Sequence, residues 1–81
     1  MNKRRLNCIV GRNIKKYRLL YNKKNNPLSQ EKLAELVNVS VSLISNLESN
    51  KSSKGVSIAV LYKISIVLNT PINKFFEEND E

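Results

Sequence analysis

Leu6, Val10, Ile14, Tyr17 and Tyr21 recur at spacings of four, four, three and four, the repeat of one face of an α-helix. Arg12, Lys15, Lys16 and Lys23 fall off that face, so the pattern predicts a first helix with a basic outer side. Residues 23–27 are polar and end in Pro27. Proline disfavours helix at the residue before it, so they read as a loop. Ser29 can cap a second helix, with Glu31 placed to suit the helix dipole, although Lys32 stands where a full capping box has Glu or Gln. Leu33, Leu36 and Val37 face inward, and Ala34 is small enough to let another helix approach. Asn38, a residue that tolerates the left-handed conformation, makes the next turn. Ser40 then caps a third helix with apolar positions Leu43, Ile44 and Leu47, and residues 50–55 form a second polar loop.

Residues 56–68 are rich in Val and Ile and taken alone could be a buried strand. Their length favours a helix with Leu61, Ile64, Ser65 and Leu68 as its inner stripe. Thr70 and Pro71 mark a stop and a restart, after which Ile72, Phe75 and Phe76 anchor a short last helix. The expected fold is all-α: a compact domain of five helices without a strand. Its 81 residues have room for one hydrophobic core. No internal repeat and no linker rich in Pro, Gly or Ser divides it. Residues 1–8 read as a basic N-terminal arm, 9–77 as the folded domain and 78–81 as an acidic tail. The cluster Lys3, Arg4, Arg5 fits either an arm for a DNA minor groove or a disordered terminus.

Composition narrows the chemistry. The chain has no His and one Cys, which excludes a His base for a Ser or Cys nucleophile, a His-metal site and a cluster of zinc thiolates. No enzyme, metal or small-molecule cofactor is expected. The lone Cys8 cannot close an internal disulfide and reads as a small buried apolar group in an intracellular, cytoplasmic protein. No secretory signal is evident, and the apolar run at 56–68 is too short to span a bilayer. The net charge is +7, and residues 1–30 hold nine basic and no acidic residues. Such segregation sets up a field that draws a polyanion from one side. Nucleic acid is the leading partner, and anionic lipid competes with it on charge alone.

Residues 28–51 carry the decisive pattern: a short helix, a turn of about three residues containing Asn38, and a helix opened by Ser40. This is a helix-turn-helix, at 29–48, which presents the N-terminal part of its second helix to a DNA major groove. Val39, Ile44 and Leu47 pack the crossing and leave Val41, Ser42, Ser45 and Asn46 outward. The run Leu28-Ser29-Gln30, then Leu33-Ala34, Ser42, Ile44-Ser45 and Leu47-Glu48 resembles the helix-turn-helix domain of Cro and the lambdoid phage repressors. Val10-Gly11 with Ile14 and Arg18 resembles that family's first helix. Lys51, Ser57, Leu61, Leu68 and Phe76 fit its fourth and fifth, so the likeness covers roughly residues 9–77.

The resemblance implies a DNA-binding regulator, expected to be a repressor, that reads double-stranded DNA with helix three, about residues 40–48. It places Gln30 at a phosphate or base edge, Ser40 at a phosphate, and Val41, Ser42, Ser45 and Asn46 toward the bases. Asn50, Lys51 and the following loop with Lys54 would hold the DNA backbone on the far side. Arg18 and Glu48 match positions that form a buried ion pair. Departures are Asn38 where the family prefers Gly, a first loop longer by about five residues, and no Gln or Arg at Val41 and Asn46. Asn46 could pair with an adenine edge and Val41 rest on a thymine methyl, leaving part of the specificity to DNA shape.

Ala59, Tyr62 and Ile66 form a second apolar stripe on the fourth helix. A helix apolar all round is normally covered on both sides, so this stripe, with Ile72 and Phe75 nearby, is expected to meet a second copy in a homodimer on a palindromic site. A chain ending soon after the fifth helix leads us to expect no separate effector-sensing domain. A competing reading uses the same fold as a protein-interaction module, an antitoxin or an antagonist of another regulator, with weak DNA binding. No membrane partner is expected.

Overall fold

Three serines start the three inner α-helices. The computed structural model describes residues 2–24, 27–50 and 55–78. Over them the chain forms α1 (Lys3–Lys24), α2 (Gln30–Val37), α3 (Val41–Ser49), α4 (Ile58–Val67) and a 3-10 helix (Ile72–Phe76). The first amides of a helix have no partner within it. Ser29, Ser40 and Ser57, each in extended backbone, supply one: their hydroxyl oxygens accept from the amides of Lys32, Leu43 and Val60 at 3.0, 3.1 and 3.2 Å. At the other ends Asn38 (φ 61°) and Asn50 (φ 60°) turn left-handed and donate their amides back into α2 and α3. The turn between those helices is Asn38, Val39 and Ser40, as expected.

The ambiguous segment 56–68 forms a helix over Ile58–Val67, with Leu61, Ile64 and Ser65 buried on it and Leu68 buried at its C-cap. The Ser65 hydroxyl donates to the Tyr62 carbonyl at 2.6 Å, so a polar group is accommodated in the stripe. The fifth helix is 3-10 rather than α. Five residues after Pro71 leave room for i→i+3 bonds, from the Lys74 amide to Pro71 O (3.0 Å) and the Glu77 amide to Lys74 O (3.4 Å). Phe75 enters the core with no exposed surface, whereas Phe76, expected to anchor beside it, is 41% exposed.

The first helix departs most from expectation. It starts at Lys3, so Lys3, Arg4 and Arg5 are its first turn rather than a separate arm or disordered terminus. It also runs on to Lys24 and takes in two residues expected in the loop. Across 22 residues its buried arc changes with its neighbours. Val10, Ile14 and Arg18 are buried, but so are Ile9 and Asn13, while Leu6 stands beyond the core and is 37% exposed. Asn13 earns its place by hydrogen bonding: its Nδ2 donates to Phe75 O (2.8 Å) and Glu77 O (2.9 Å), tying α1 to the end of the described chain. The core gathers Val10 and Ile14 of α1, Leu33, Ala34 and Val37 of α2, Ile44 and Leu47 of α3, Leu61, Ile64 and Leu68 of the α4 region, and Phe75. Tyr17 meets Phe75 edge-to-face, with ring centroids 5.5 Å apart.

Candidate nucleic-acid interface

The outward surface of α3 is set by what lies behind it. Ile44, Leu47 and Glu48 are buried, and Leu43 is half-buried. The helical repeat therefore turns Val41, Ser42, Asn46 and Ser49 to solvent, with Ser45 half-buried at the margin. Of the expected base-facing set, Val41, Ser42 and Asn46 are exposed together on one face; Val41 is 42% exposed, large for an apolar side chain with no cover. Ser40 is exposed at the helix start and accepts from the Leu43 amide, which leaves its hydroxyl hydrogen free to donate. Asn50 is exposed at the opposite end, on the left-handed turn. Lys51 and Lys54, expected on the DNA backbone, lie outside the described residues.

Behind this face, Arg18 and Glu48 meet as expected. Arg18 Nε donates to Glu48 Oε2 (2.8 Å) and Nη2 to Oε1 (2.9 Å), a bidentate pair with side chains 10% and 2% exposed. The remaining guanidinium nitrogen, Nη1, donates to Leu28 O at 3.1 Å. Hydrogen bonding to Glu48 raises the Arg18 pKa against the opposing effect of burial. The stabilisation from that raised pKa is complete below the ordinary arginine range and is lost only in strong alkali. The cation is thus permanent at any working pH.

Gln30 belongs to this network. Its Nε2 donates to Glu48 Oε1 at 2.9 Å, so one amide hydrogen is turned inward and the side chain is half-buried. An amide has a second N–H and a carbonyl oxygen, and those are what Gln30 retains for an outside partner. Glu48 therefore holds α1, through Arg18, and the first residue of α2, through Gln30, onto α3.

The close approach expected at Ala34 has a counterpart that went unread, at Gly11. A β-carbon built there would fall 2.0 Å from the Leu47 carbonyl oxygen and 3.3 Å from Asn50 Oδ1, so only glycine lets α1 rest on the backbone of α3. A lone glycine inside a helical repeat is the available sequence signal for such an approach. Asn13 and Asn22 were missed as well; the Asn22 side-chain oxygen accepts from the Leu28 amide and closes the entry to α2. Nothing in their spacing separates them from solvent-facing asparagines.

On α4, Ala59, Tyr62 and Ile66 are exposed as the stripe requires, and Ile58 extends it; Ile58, Tyr62 and Ile66 are 68%, 58% and 62% exposed. Ile72 is half-buried against the core. Phe75, expected on the same surface, is removed from it: fully buried against Tyr17, it cannot reach a second molecule. Among the described residues no group of three or more Cys, Asp or Glu side chains could hold a metal, and no helix is long and apolar enough to cross a membrane.

Comparison with curated proteins finds no match. A helix-turn-helix family model matches residues 14–75 of the 81. That span takes in the α2–α3 hairpin, the Arg18–Glu48 brace and the Phe75 anchor, and so the chain belongs to the helix-turn-helix family of DNA-binding transcription regulators.

Proposed function

We propose that the protein is a sequence-specific repressor that binds a palindromic site as a homodimer, inserting α3 of each copy into the major groove. The observation that carries this reading is the outward face of α3, where Val41, Ser42 and Asn46 are exposed above a helix braced by Arg18, Glu48 and Gln30. Asn46 suits an adenine edge and Val41 a thymine methyl. Ser40, Asn50 and the free N–H of Gln30 suit phosphates, as do Lys51 and Lys54. Because serines discriminate weakly between bases, DNA shape supplies the rest. The Ala59, Tyr62 and Ile66 face, with Ile72 at its edge, is the dimer contact. Such a protein works in the cytoplasm on the nucleoid and uses no cofactor.

The test is selection from a random DNA library followed by salt-titrated binding to the enriched site and to random DNA. The proposal expects a palindrome bound at least ~1,000-fold more tightly than random sequence. Equal affinity for all sequences that collapses with salt would mean that only phosphates are being read, and would sink it. That outcome would favour the second reading, a protein-interaction module, for which the exposed Ile58, Tyr62 and Ile66 are the supporting observation.

A further inference from the structure

The described outward face of α3 carries no cation: Val41, Ser42, Ser45, Asn46, Ser49 and Asn50 are all neutral. Duplex DNA is held largely through its phosphates, so part of the seating charge has to come from a neighbouring element. α1 has nine basic residues and no acidic one. A helix advances about 100° per residue, which sets Arg18, Gly11, Arg4 and Lys15 at successive steps of about 20° around its axis. The first two are pressed on α3, Arg18 through Glu48 and Gly11 against Leu47 O and beside Asn50. On one side of that contact lie Ile14 and Val10, buried in the core. Arg4 and Lys15 come next on the other side of the α1–α3 contact, away from the core, and both are exposed. They stand eleven residues, or about 16 Å, apart along the axis, and neither has an ion-pair partner among the described residues.

A second observation concerns Arg4. Cations in the first turn of a helix oppose its dipole, and α1 has no acid there to offset them. Arg5 is compensated by an ion pair with Glu78, whereas Arg4 is not.

We propose that Arg4 and Lys15 form a phosphate-binding edge beside α3 that seats the backbone of the duplex α3 reads. This rests on the function proposed above and adds a basic flank on α1 to it.

The experiment compares wild type, the double variant Arg4→Gln/Lys15→Gln, and Lys16→Gln, measuring the slope of log affinity against log salt on the enriched site and on random DNA, and binding to phosphatidylserine-containing vesicles. Lys16 is the control: it is an exposed cation one residue from Lys15 but turned away from α3, over the Tyr17 ring with Nζ 5.3 Å from its centroid. Loss of two phosphate contacts per copy, four per bound dimer, should reduce the slope by roughly 3.6 on both DNAs and leave their affinity ratio unchanged. Lys16→Gln should keep the wild-type slope. A double variant with the wild-type slope on a specifically bound site would overturn the edge alone, as would an equal loss in Lys16→Gln, which would show a diffuse charge effect. Failure of wild type to prefer any sequence would instead overturn the underlying function. If the double variant changes binding only to phosphatidylserine-containing vesicles, the flank belongs to a membrane and the proposal is wrong.

Discussion

At the scale of single residues, the sharpest constraint is steric and sits at Gly11. Replacing glycine by alanine inside an exposed helix ordinarily adds about 1 kcal/mol of stability. Here the sign should reverse, because the new carbon would meet the Leu47 carbonyl oxygen at 2.0 Å and backbone cannot swing aside. We expect Gly11→Ala to destabilise by about 1–3 kcal/mol, read as a lower urea midpoint. It should also weaken DNA binding by shifting α1 and loosening the Arg18–Glu48 pair. An unchanged or raised midpoint would show that the two helices are not held this close in solution. That pair was legible in the sequence through the family likeness, and its two parallel hydrogen bonds follow from the matching fork of guanidinium and carboxylate. The donation from Gln30 to the same carboxylate was not legible, since it depends on how the start of α2 lies over the end of α3.

Among the elements, the α2–α3 hairpin is the best determined. Ser29 and Ser40 cap its helices, and Asn38 turns it through the left-handed region. In a chain with twelve asparagines and two glycines, Asn also takes this role at Asn50 and Asn69. Glycine enters that region without steric cost, while alanine brings a Cβ against a carbonyl. Asn38→Gly should therefore melt at or above wild type, and Asn38→Ala should be less stable by about 1–2 kcal/mol. Equal melting temperatures for the two variants would remove the turn as the hairpin's determinant. The first helix was less legible. Its periodicity identified the middle turns, but how far a helix continues at either end depends on what caps or covers it. Here Glu78 meets Arg5 at one end, and Asn22 closes onto Leu28 at the other.

For the molecule as a whole, the open matter is what covers α4. Ile58, Tyr62 and Ile66 recur every four residues and remain more than half exposed. We expect wild type to sediment as a dimer at tens of micromolar and Tyr62→Glu as a monomer, because a carboxylate buried without a partner is strongly disfavoured. The variant should keep the helical content of wild type and lose affinity for a palindrome whose half-sites stand about 34 Å apart. Monomeric wild type at that concentration would end the dimer and leave the stripe to another protein. Phe75 carries a lesson in the same place. The pattern set it beside Ile72 on this surface, but in a five-residue 3-10 helix neighbouring side chains diverge quickly, and Phe75 turns into the core while Phe76 turns out.

The sequence alone determined what depends on nearest neighbours along the chain. That includes the periodicity of the inner stripes, the serine caps, the asparagine turn, the segregation of charge and the absence of histidine chemistry. These are local because helical hydrogen bonds and capping reach only three or four residues. Tertiary structure alone decided three long-range contacts: Asn13 on the carbonyls of Phe75 and Glu77, Gln30 on Glu48, and Gly11 under Leu47. It also decided which flank of α1 borders α3. Each of these joins residues distant in sequence, where no local rule names the partner that a buried polar group needs.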